Sequence, residues 1–259
     1  MNLIDTHSHL YEPDFSEDLS TVVDRARGAG VSKVLLPNID DQSIDRLKKT
    51  YREYQSFFIP MMGLHPSSVD INWERRLETI YGELISEKYI AVGEIGIDLY
   101  WDTTYEKEQI FVFEEQLRWS IEKELPVSIH SRNASQEVLQ SIRKVGAEKL
   151  KGVFHSFAGT FEELSEILQL PNFYVGINGI VTFKNSNLAE TLRHCPIERL
   201  VIETDAPYLS PVPFRGKRNE PSYISAIVNK LSTIYNLGQE EIAEITKKNA
   251  DKLFQIFLW

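Results

Sequence analysis

The chain has 259 residues, of which 42% are apolar and 25% charged, proportions that are ordinary for a soluble globular protein. Its formal net charge of −10 argues against a protein that coats nucleic acids through a broad basic surface, but it does not exclude an enzyme that binds a few phosphates locally. A single cysteine excludes an internal disulfide and favours a reducing compartment. No apolar run reaches the ~18 residues of a membrane span, and no signal peptide is evident. We therefore expect a cytoplasmic protein that contacts no membrane, and no obligate protein partner is evident from the sequence.

Short apolar runs alternate along the chain with longer amphipathic segments. Such near-continuous apolar runs are typical of parallel strands that are buried on both faces. We predict eight strands, at residues 2–5, 33–38, 57–65, 89–98, 125–130, 151–157, 173–179 and 199–205. Helical periodicity lies between them and after the last strand, at residues 15–30, 41–54, 74–87, 105–124, 135–145, 161–170, 187–194, 221–235 and 239–257.

Eight strands that alternate with helices indicate an α/β protein, a (β/α)8 TIM barrel formed as one domain over residues 1–259. A doubly wound open sheet is the main alternative, because counting strands does not exclude it. The positions of the polar residues favour the barrel. Nearly every unusual polar residue falls at the C-terminal end of a predicted strand, which is where barrel enzymes place their chemistry.

Histidines are concentrated at these strand ends. In IDTHSHL, His7 and His9 are two positions apart, so their side chains share one face if the backbone is extended. Two solvated histidines are the alternative for this stretch taken alone. Across the chain, however, the strand ends carry His7, His9, His65, Glu94, His130, His155 and Asp205. Imidazoles and carboxylates without a thiolate suit Zn²⁺, Mn²⁺ or another first-row cation, so we predict a metal site.

Four histidines and two carboxylates are more ligands than one tetrahedral ion needs and are about right for two ions that share a carboxylate. Glu94, midway round the barrel, is the expected bridge. The groups that it would connect are His7, His9 and Asp205 on one side and His130 and His155 on the other. Two ions can clamp the attacking and leaving oxygens of a phosphoryl displacement. Asp205 could then orient the attacking water and accept its proton, so Asp205 and Glu94 are the predicted catalytic residues.

The stretches that carry these residues are IDTHSHL, GLHP, VGEIGID, LPVSIHSR, FHSFAG and ETDAPYLSP followed by RGKRNEP, and NADKLF lies near the end. In this order they resemble the TatD family of metal-dependent deoxyribonucleases, within the amidohydrolase-like barrels. The resemblance implies that the metal ligands are His7, His9, Glu94, His130, His155 and Asp205. It further implies hydrolysis of DNA, with 3′–5′ exonuclease action and Mg²⁺, Mn²⁺ or Zn²⁺ as the divalent metal cofactor.

Cationic and imidazole side chains near these strand ends are candidates for substrate binding. His65 could be a further metal ligand, but we favour a hydrogen bond from His65 to a substrate phosphate. Arg132, two residues past a predicted ligand, is a candidate for a phosphate contact. The basic loop FRGKRNEP adds Arg215, Lys217 and Arg218, which we predict to bind phosphate, with a solvated loop as the alternative.

Other polar residues are expected to play supporting roles. Glu203 precedes Asp205 by two positions and should point the same way from one layer deeper, so it is predicted to hold the ligands in place. Asp98 is expected to support the ligands or to cap a loop. His194 should complement the C-terminus of its helix, and we do not expect it to form a nucleophilic pair with Cys195.

Two other functions remain open from the sequence. A barrel amidohydrolase or esterase would cut a C–N or carboxylic ester bond, and several of these enzymes bridge their metals with a carbamylated lysine on the fourth strand. The fourth predicted strand offers Glu94 and no lysine, which favours a phosphodiester substrate. The other alternative is a metal-stabilised binding protein without turnover, and the complete ligand set speaks against it.

Overall fold

The structure is a computed structural model that describes all 259 residues. Its strands are β1 (Leu3–Asp5), β2 (Val31–Leu36), β3 (Phe58–Pro60), β4 (Val92–Asp98), β5 (Val127–Arg132), β6 (Gly152–Phe154), β7 (Phe173–Ile177) and β8 (Leu200–Ile202). Its α-helices are α1 (Leu19–Gly28), α2 (Ile44–Glu53), α3 (Trp73–Ser86), α4 (Glu106–Lys123), α5 (Ser135–Val145), α6 (Phe161–Leu168), α7 (Leu188–Leu192), α8 (Ile224–Tyr235) and α9 (Gln239–Phe254). None of these helices combines the length and the apolar composition that are needed to cross a bilayer.

The eight strands run parallel and close into a barrel. Hydrogen-bonded ladders join β1, β2 and β3 in one group and β4 to β8 in the other. A parallel bridge between Met62 and Val92 connects the two groups on one side. On the other side, the backbone N–H of Thr6 donates to the carbonyl of Ile202 at 3.1 Å, which connects the end of β1 to β8. The predicted (β/α)8 fold is therefore confirmed, and the doubly wound sheet is not formed.

The barrel interior is filled from alternate positions of the strands. Ile4, Leu35 and Val201 are buried in one apolar cluster, which also contains Leu253 and Phe254 of α9. Side chains two positions apart on a strand point to the same face, so one residue in two reaches this interior. The C-terminal helix packs beneath the strands and closes the end of the barrel at which they begin, because it contacts β1 and β8.

Toward the opposite end, the inward-facing positions change from apolar to polar. On β6 the buried Val153 is followed two positions later by His155, and on β8 the buried Val201 is followed by Glu203 and Asp205. The two-residue period continues past each strand end as far as His155 and Glu203, so these polar groups lie above the apolar cluster. Asp205 lies beyond Glu203, where the backbone leaves the extended region with a φ of 59°. The strand period thus delivers metal-binding residue types to the C-terminal mouth of the barrel.

Several predicted elements are longer than those observed, and the strands predicted at 151–157 and 199–205 are regular only over Gly152–Phe154 and Leu200–Ile202. The predicted strand 57–65 is regular only over Phe58–Pro60. Farther along this segment, a side chain makes the backbone hydrogen bonds that a neighbouring strand would otherwise make. The buried side-chain amide of Gln116 accepts a hydrogen bond from the backbone N–H of Leu64 at 2.7 Å and donates one to the backbone carbonyl of Leu64 at 3.1 Å. The predicted helix 187–194 ends earlier, at Leu192, so His194 lies beyond it and packs edge-on against Phe161 with ring centroids 4.8 Å apart.

Candidate metal centre

The carboxylate of Glu94 lies between two groups of imidazoles at the mouth of the barrel, where the residue is only 2% exposed. Its Oε2 is 3.1 Å from Nε2 of His7 and 3.6 Å from Nε2 of His9. Asp205 completes this side, since its Oδ1 lies 3.6 Å from Nε2 of His9 and 4.0 Å from Nε2 of His7. These three residues follow β1 and β8, which are neighbours in the closed barrel and therefore bring them to one place.

The second oxygen of Glu94 faces residues from β5, β6 and the segment after β3. Its Oε1 is 3.0 Å from Nδ1 of His130 and 3.3 Å from Nε2 of His155. Nε2 of His65 lies 3.3 Å from the same oxygen. One carboxylate thus contacts five histidines and divides them between its two oxygens, so all six predicted ligands converge.

The ring of His9 is fixed in one tautomer by a tyrosine. The hydroxyl of Tyr11 donates to the carbonyl of Pro37 at 2.6 Å, and Nδ1 of His9 lies 3.1 Å from the same hydroxyl. Because the hydroxyl proton is already used, Nδ1 of His9 is the donor in this contact. The neutral ring then leaves Nε2 without a proton, directed toward Glu94 and able to bind a metal.

Carboxylates hold two further imidazoles in the same manner. Nδ1 of His155 lies 3.0 Å from Oε1 of Glu203, which enters from one layer deeper in the barrel. Nε2 of His130 lies 2.9 Å from Oδ2 of Asp98. Each carboxylate accepts one ring proton, and the opposite nitrogen of each ring faces Glu94, where a metal ion would take the place of the second proton.

A glycine of β7 makes room for the carboxylate behind His155. A Cβ atom at Gly176 would lie 2.3 Å from Oε2 of Glu203, far inside van der Waals contact. Any side chain at this position would displace Glu203 and release the ring that Glu203 holds. A glycine inside a strand often marks such a close approach, and this is the sequence signal that the stretch VGING carries.

His65 differs from the other four histidines around Glu94. Its Nδ1 accepts a hydrogen bond from the backbone N–H of Ser67 at 3.1 Å, and burial lowers the pKa of the His65 ring, so the ring is neutral. The proton of the neutral ring is therefore on Nε2, the atom that points into the site. His65 also lies close enough to Glu94 and His130 to complete a metal-binding group, but a protonated nitrogen binds no metal and donates to an anionic oxygen instead.

The charges of the site fit a divalent cation. Burial raises the pKa of Asp205 to about 7, and burial acts in the same direction on Glu94. The surrounding histidines, His155 first, outweigh that effect and hold the pKa of Glu94 well below its usual range. The only basic groups within 4.0 Å of the carboxylate oxygens of Glu94, Asp205 and Glu203 are these imidazoles. Buried carboxylates without lysine or arginine partners, faced by imidazole nitrogens, are the donor set of a metal site, in which a cation would supply the positive charge that protonated imidazoles otherwise supply.

The site opens into a cavity of about 720 Å³. Arg132 is the only lysine or arginine that lines it, and His65 lines it as well. The three cations of the basic loop, Arg215, Lys217 and Arg218, are absent from the lining. The structure therefore brings Arg132 and His65 to the metal centre but does not bring the basic loop there.

The two arginines of the basic loop are already engaged within the protein. Arg215 donates to the carbonyl of Ser210 at 3.0 Å. Arg218 makes two hydrogen bonds to the carboxylate of Asp18, at 2.8 and 2.7 Å. Lys217 is exposed and lies outside the cavity lining. A local excess of positive charge in the sequence thus corresponds mainly to contacts that attach this loop to the rest of the barrel.

Cys195 has no catalytic environment. The residue is buried, and burial raises the pKa of its thiol to about 12. A thiol with so high a pKa is protonated at neutral pH and is a poor nucleophile. His194 beside it packs against Phe161 instead of activating it.

A family model described as TatD related DNase matches residues 4–255. The chain belongs to this family. It is 38% identical over 255 residues to YabD of Bacillus subtilis, described as an uncharacterized metal-dependent hydrolase, with 98% of this chain and 99% of YabD covered. The crystal structure of YjjV, a TatD homolog from Escherichia coli, is 29% identical, has a TM-score of 0.91 and covers 98% of both chains. A TatD family hydrolase from Entamoeba histolytica, with 22% identity over 98% of both chains and a TM-score of 0.84, shares the fold.

The resemblance inferred from the motifs is therefore confirmed, and this TatD-family chain is a metal-dependent hydrolase. Some contributors to its site carried only a weak signal in the sequence. Asp5 accepts from the backbone N–H groups of His7 at 3.3 Å and of Thr204 at 2.9 Å, which joins the ends of β1 and β8. Asp5 and Tyr11 continue the two-residue spacing of His7 and His9, so the period that identified the histidines also indicated their neighbours. Ser128, 3.2 Å from Nδ1 of His7, carried no such signal.

The TatD-family loop that follows β8 is held by Asn219, and we expect Asn219→Ala to destabilise the protein. The buried amide donates to the carbonyls of Thr204 and Tyr208 at 2.7 and 2.6 Å, on either side of Asp205. Its removal leaves both carbonyls without a donor, at a cost of about 1–3 kcal/mol each. The melting temperature should fall by roughly 5–15 °C for a chain of this size, as measured by differential scanning calorimetry.

The matched control is Asn72→Ala, because Asn72 is exposed and its side chain makes no capping hydrogen bond. This variant should melt within about 2 °C of the unmodified protein, as surface changes usually do. Equal melting temperatures for the two variants would contradict the role assigned to Asn219.

Proposed function

We propose that this TatD-family protein hydrolyses phosphodiester bonds of DNA with two divalent metal ions, as a 3′–5′ exonuclease. The observation that carries the proposal is the division of the imidazoles by the two oxygens of Glu94. A carboxylate between two ligand groups is the arrangement of a two-metal site, which stabilises both the attacking and the leaving oxygen of a phosphoryl transfer. The ligands would be His7, His9 and Asp205 for one ion and His130 and His155 for the other, with Glu94 shared. Imidazole-rich ligation favours Zn²⁺ or Mn²⁺ over Mg²⁺.

When bound, the ions would supply Lewis acidity and lower the pKa of the attacking water. Asp205 is positioned to orient this water and to take its proton, because its carboxylate lies at the edge of the ligand group and lines the cavity. Glu203 and Asp98 would keep the rings of His155 and His130 in the required tautomer and orientation.

The substrate should be a phosphate ester, because the cavity offers two donors for anionic oxygens beside the ligands. They are the Nε2–H group of His65 and the guanidinium of Arg132. The fourth strand carries Glu94 and no lysine, which disfavours the carbamylated-lysine amidohydrolases. DNA as the phosphodiester rests on the family to which the chain belongs, described as TatD related DNase. The 3′–5′ direction rests only on the resemblance of the sequence motifs.

The test is a metal-dependent digest with the full chain. The protein is stripped with a chelator and reloaded with Mg²⁺, Mn²⁺ or Zn²⁺. It is then given end-labelled single- and double-stranded DNA, RNA, bis(p-nitrophenyl) phosphate and p-nitrophenyl acetate. We expect DNA cleavage that depends on added metal and releases mononucleotides from the 3′ end, with 5′-labelled strands shortening stepwise.

Each alternative predicts a different pattern in the same digest. Cleavage of the carboxylic ester with intact phosphodiesters would indicate an amidohydrolase or esterase. Stoichiometric metal binding without turnover of any substrate would indicate a binding protein. Cleavage within the strand, with no mononucleotide release, would retain the phosphodiesterase but contradict exonuclease action.

A further inference from the structure

Two exposed aromatic residues stand at the rim of the metal-site cavity. Tyr100 and Trp101, just past the end of β4, are 50% and 74% exposed, and their rings meet edge-to-face with centroids 4.8 Å apart. The ring of Trp101 lines the cavity that contains the predicted metal ligands. A single exposed aromatic residue is ordinary, but a pair beside a catalytic cavity offers a flat apolar surface to whatever enters.

A cation lies against this pair. The guanidinium of Arg132 is 3.9 Å from the ring centroid of Tyr100 and 5.2 Å from that of Trp101. Unlike Arg215 and Arg218, Arg132 donates no side-chain hydrogen bond within the protein, so the aromatic rings hold it while its N–H groups remain available. A planar cation with free donors suits a phosphate oxygen.

The aromatic pair is fixed relative to the metal ligands by short connections. Asp98 accepts from the backbone N–H of Tyr100 at 3.0 Å through Oδ1, while its Oδ2 contacts His130. The backbone N–H of Leu99 donates to the carbonyl of Arg132 at 2.9 Å. The segment that carries the aromatic rings is therefore attached to the same two strands, β4 and β5, that supply Glu94 and His130.

We propose that Tyr100, Trp101 and Arg132 form a nucleobase subsite, in which Trp101 stacks on an unpaired base and Arg132 binds the adjoining phosphate. Every nucleobase has a π-face, so stacking on an exposed aromatic ring tolerates any sequence. A base inside a duplex has both faces covered by its neighbours, so the subsite takes a single-stranded segment. This assignment rests on the proposed DNA hydrolysis and extends it by naming the residues that recognise the strand.

The test measures initial cleavage of single-stranded oligonucleotides by the metal-loaded protein, with one abasic residue placed in turn at each of the last positions. Trp101→Ala should raise KM for the intact strand roughly five- to a hundredfold, more than it lowers kcat, the scale of losing one stacked base. In the unmodified protein, an abasic residue at one position should raise KM similarly. In Trp101→Ala the same abasic residue should add little, because the stacking partner is already gone.

Two further variants separate stacking from a change of fold. Trp101→Phe keeps an aromatic face and should restore much of the affinity and of the sensitivity to the abasic residue. Phe257→Ala removes a ring that is 73% exposed and lies outside the cavity lining, so its KM should stay at the level of the unmodified protein. Melting temperatures of all variants should agree, since both rings are largely in solvent.

A failure of the subsite and a failure of the proposed function give different results. If the unmodified protein cleaves DNA but Trp101→Ala has an unchanged KM, the subsite is wrong and the DNA hydrolase stands. The same conclusion follows if the abasic residue affects both proteins equally, or if kcat falls while KM does not change. If the metal-loaded unmodified protein cleaves bis(p-nitrophenyl) phosphate but no DNA, the proposed substrate is wrong and the subsite falls with it.

Discussion

Replacing Glu94 with Gln is expected to remove most of the bound metal and to reduce phosphodiester cleavage to background. The amide keeps the shape of the side chain but loses the negative charge that would lie between the two groups of ligands. Two cations held near each other need that charge, because neutral imidazoles alone leave their mutual repulsion uncompensated. The loss should exceed the ~10–100-fold effect that is usual when only a group behind a ligand is changed. Metal content after dialysis, by plasma mass spectrometry, and hydrolysis of bis(p-nitrophenyl) phosphate measure the two effects.

The matched control is Glu78→Gln, an exposed carboxylate on α3 that makes no ion pair. This variant should keep the metal content and the rate of the unmodified protein. A Glu94→Gln protein that still holds two ions per chain would show that the carboxylate is not the bridge. A single retained ion with full activity would argue for a one-metal mechanism.

Asp205→Asn is expected to reduce kcat by a factor of ~10²–10⁴, the usual range for the loss of a general acid or base. Asp205 has a φ of 59°, in the left-handed region that asparagine also tolerates, so the backbone of the loop should be retained. The amide cannot take a proton from water, although it can still orient one. At least one ion should remain bound through the other ligands. Turnover at saturating metal and the metal content per chain, measured together, distinguish a loss of proton transfer from a loss of bound metal.

The control for this change is Asp24→Asn, which alters an exposed carboxylate of α1 and should leave turnover unaffected. An Asp205→Asn protein with an unchanged rate at saturating metal would exclude Asp205 as the base. If the loss of rate disappears when more metal is added, Asp205 acts only as a ligand. A persistent loss with the ions in place supports the role in proton transfer.

The barrel could be predicted from the sequence because its strands repeat one pattern. Apolar runs marked all eight strands, and the two-residue period placed Val153 and His155, or Val201 and Glu203, on one face. The pattern of apolar residues did not predict where a side chain would make the backbone hydrogen bonds that a neighbouring strand normally makes. The amide of Gln116 satisfies the backbone of Leu64, and nothing in a helical segment distinguishes that glutamine from a solvent-facing one.

The candidate site was accessible to sequence reasoning to the extent that it depends on residue type and strand position. The convergence of His7, His9 and Asp205 follows from both. The separate hydrogen bonding of His65 does not, because it depends on the backbone N–H of Ser67 in the following turn. The role of Arg218 was equally inaccessible, since its partner Asp18 is 200 residues away and local charge says nothing about a distant partner.

The closure of β1 against β8 bears on when the protein can acquire its metal. Asp5 and Thr204, which join these strands, are 199 residues apart, and the predicted ligands His7 and Asp205 next to them are separated by a similar length of chain. A nascent chain still on the ribosome exposes His7 and His9 long before Asp205 has been made. The complete set of ligands therefore arises only after synthesis has passed β8 and the barrel has closed. If these residues are the ligands, full loading of the site must wait for completion of the fold.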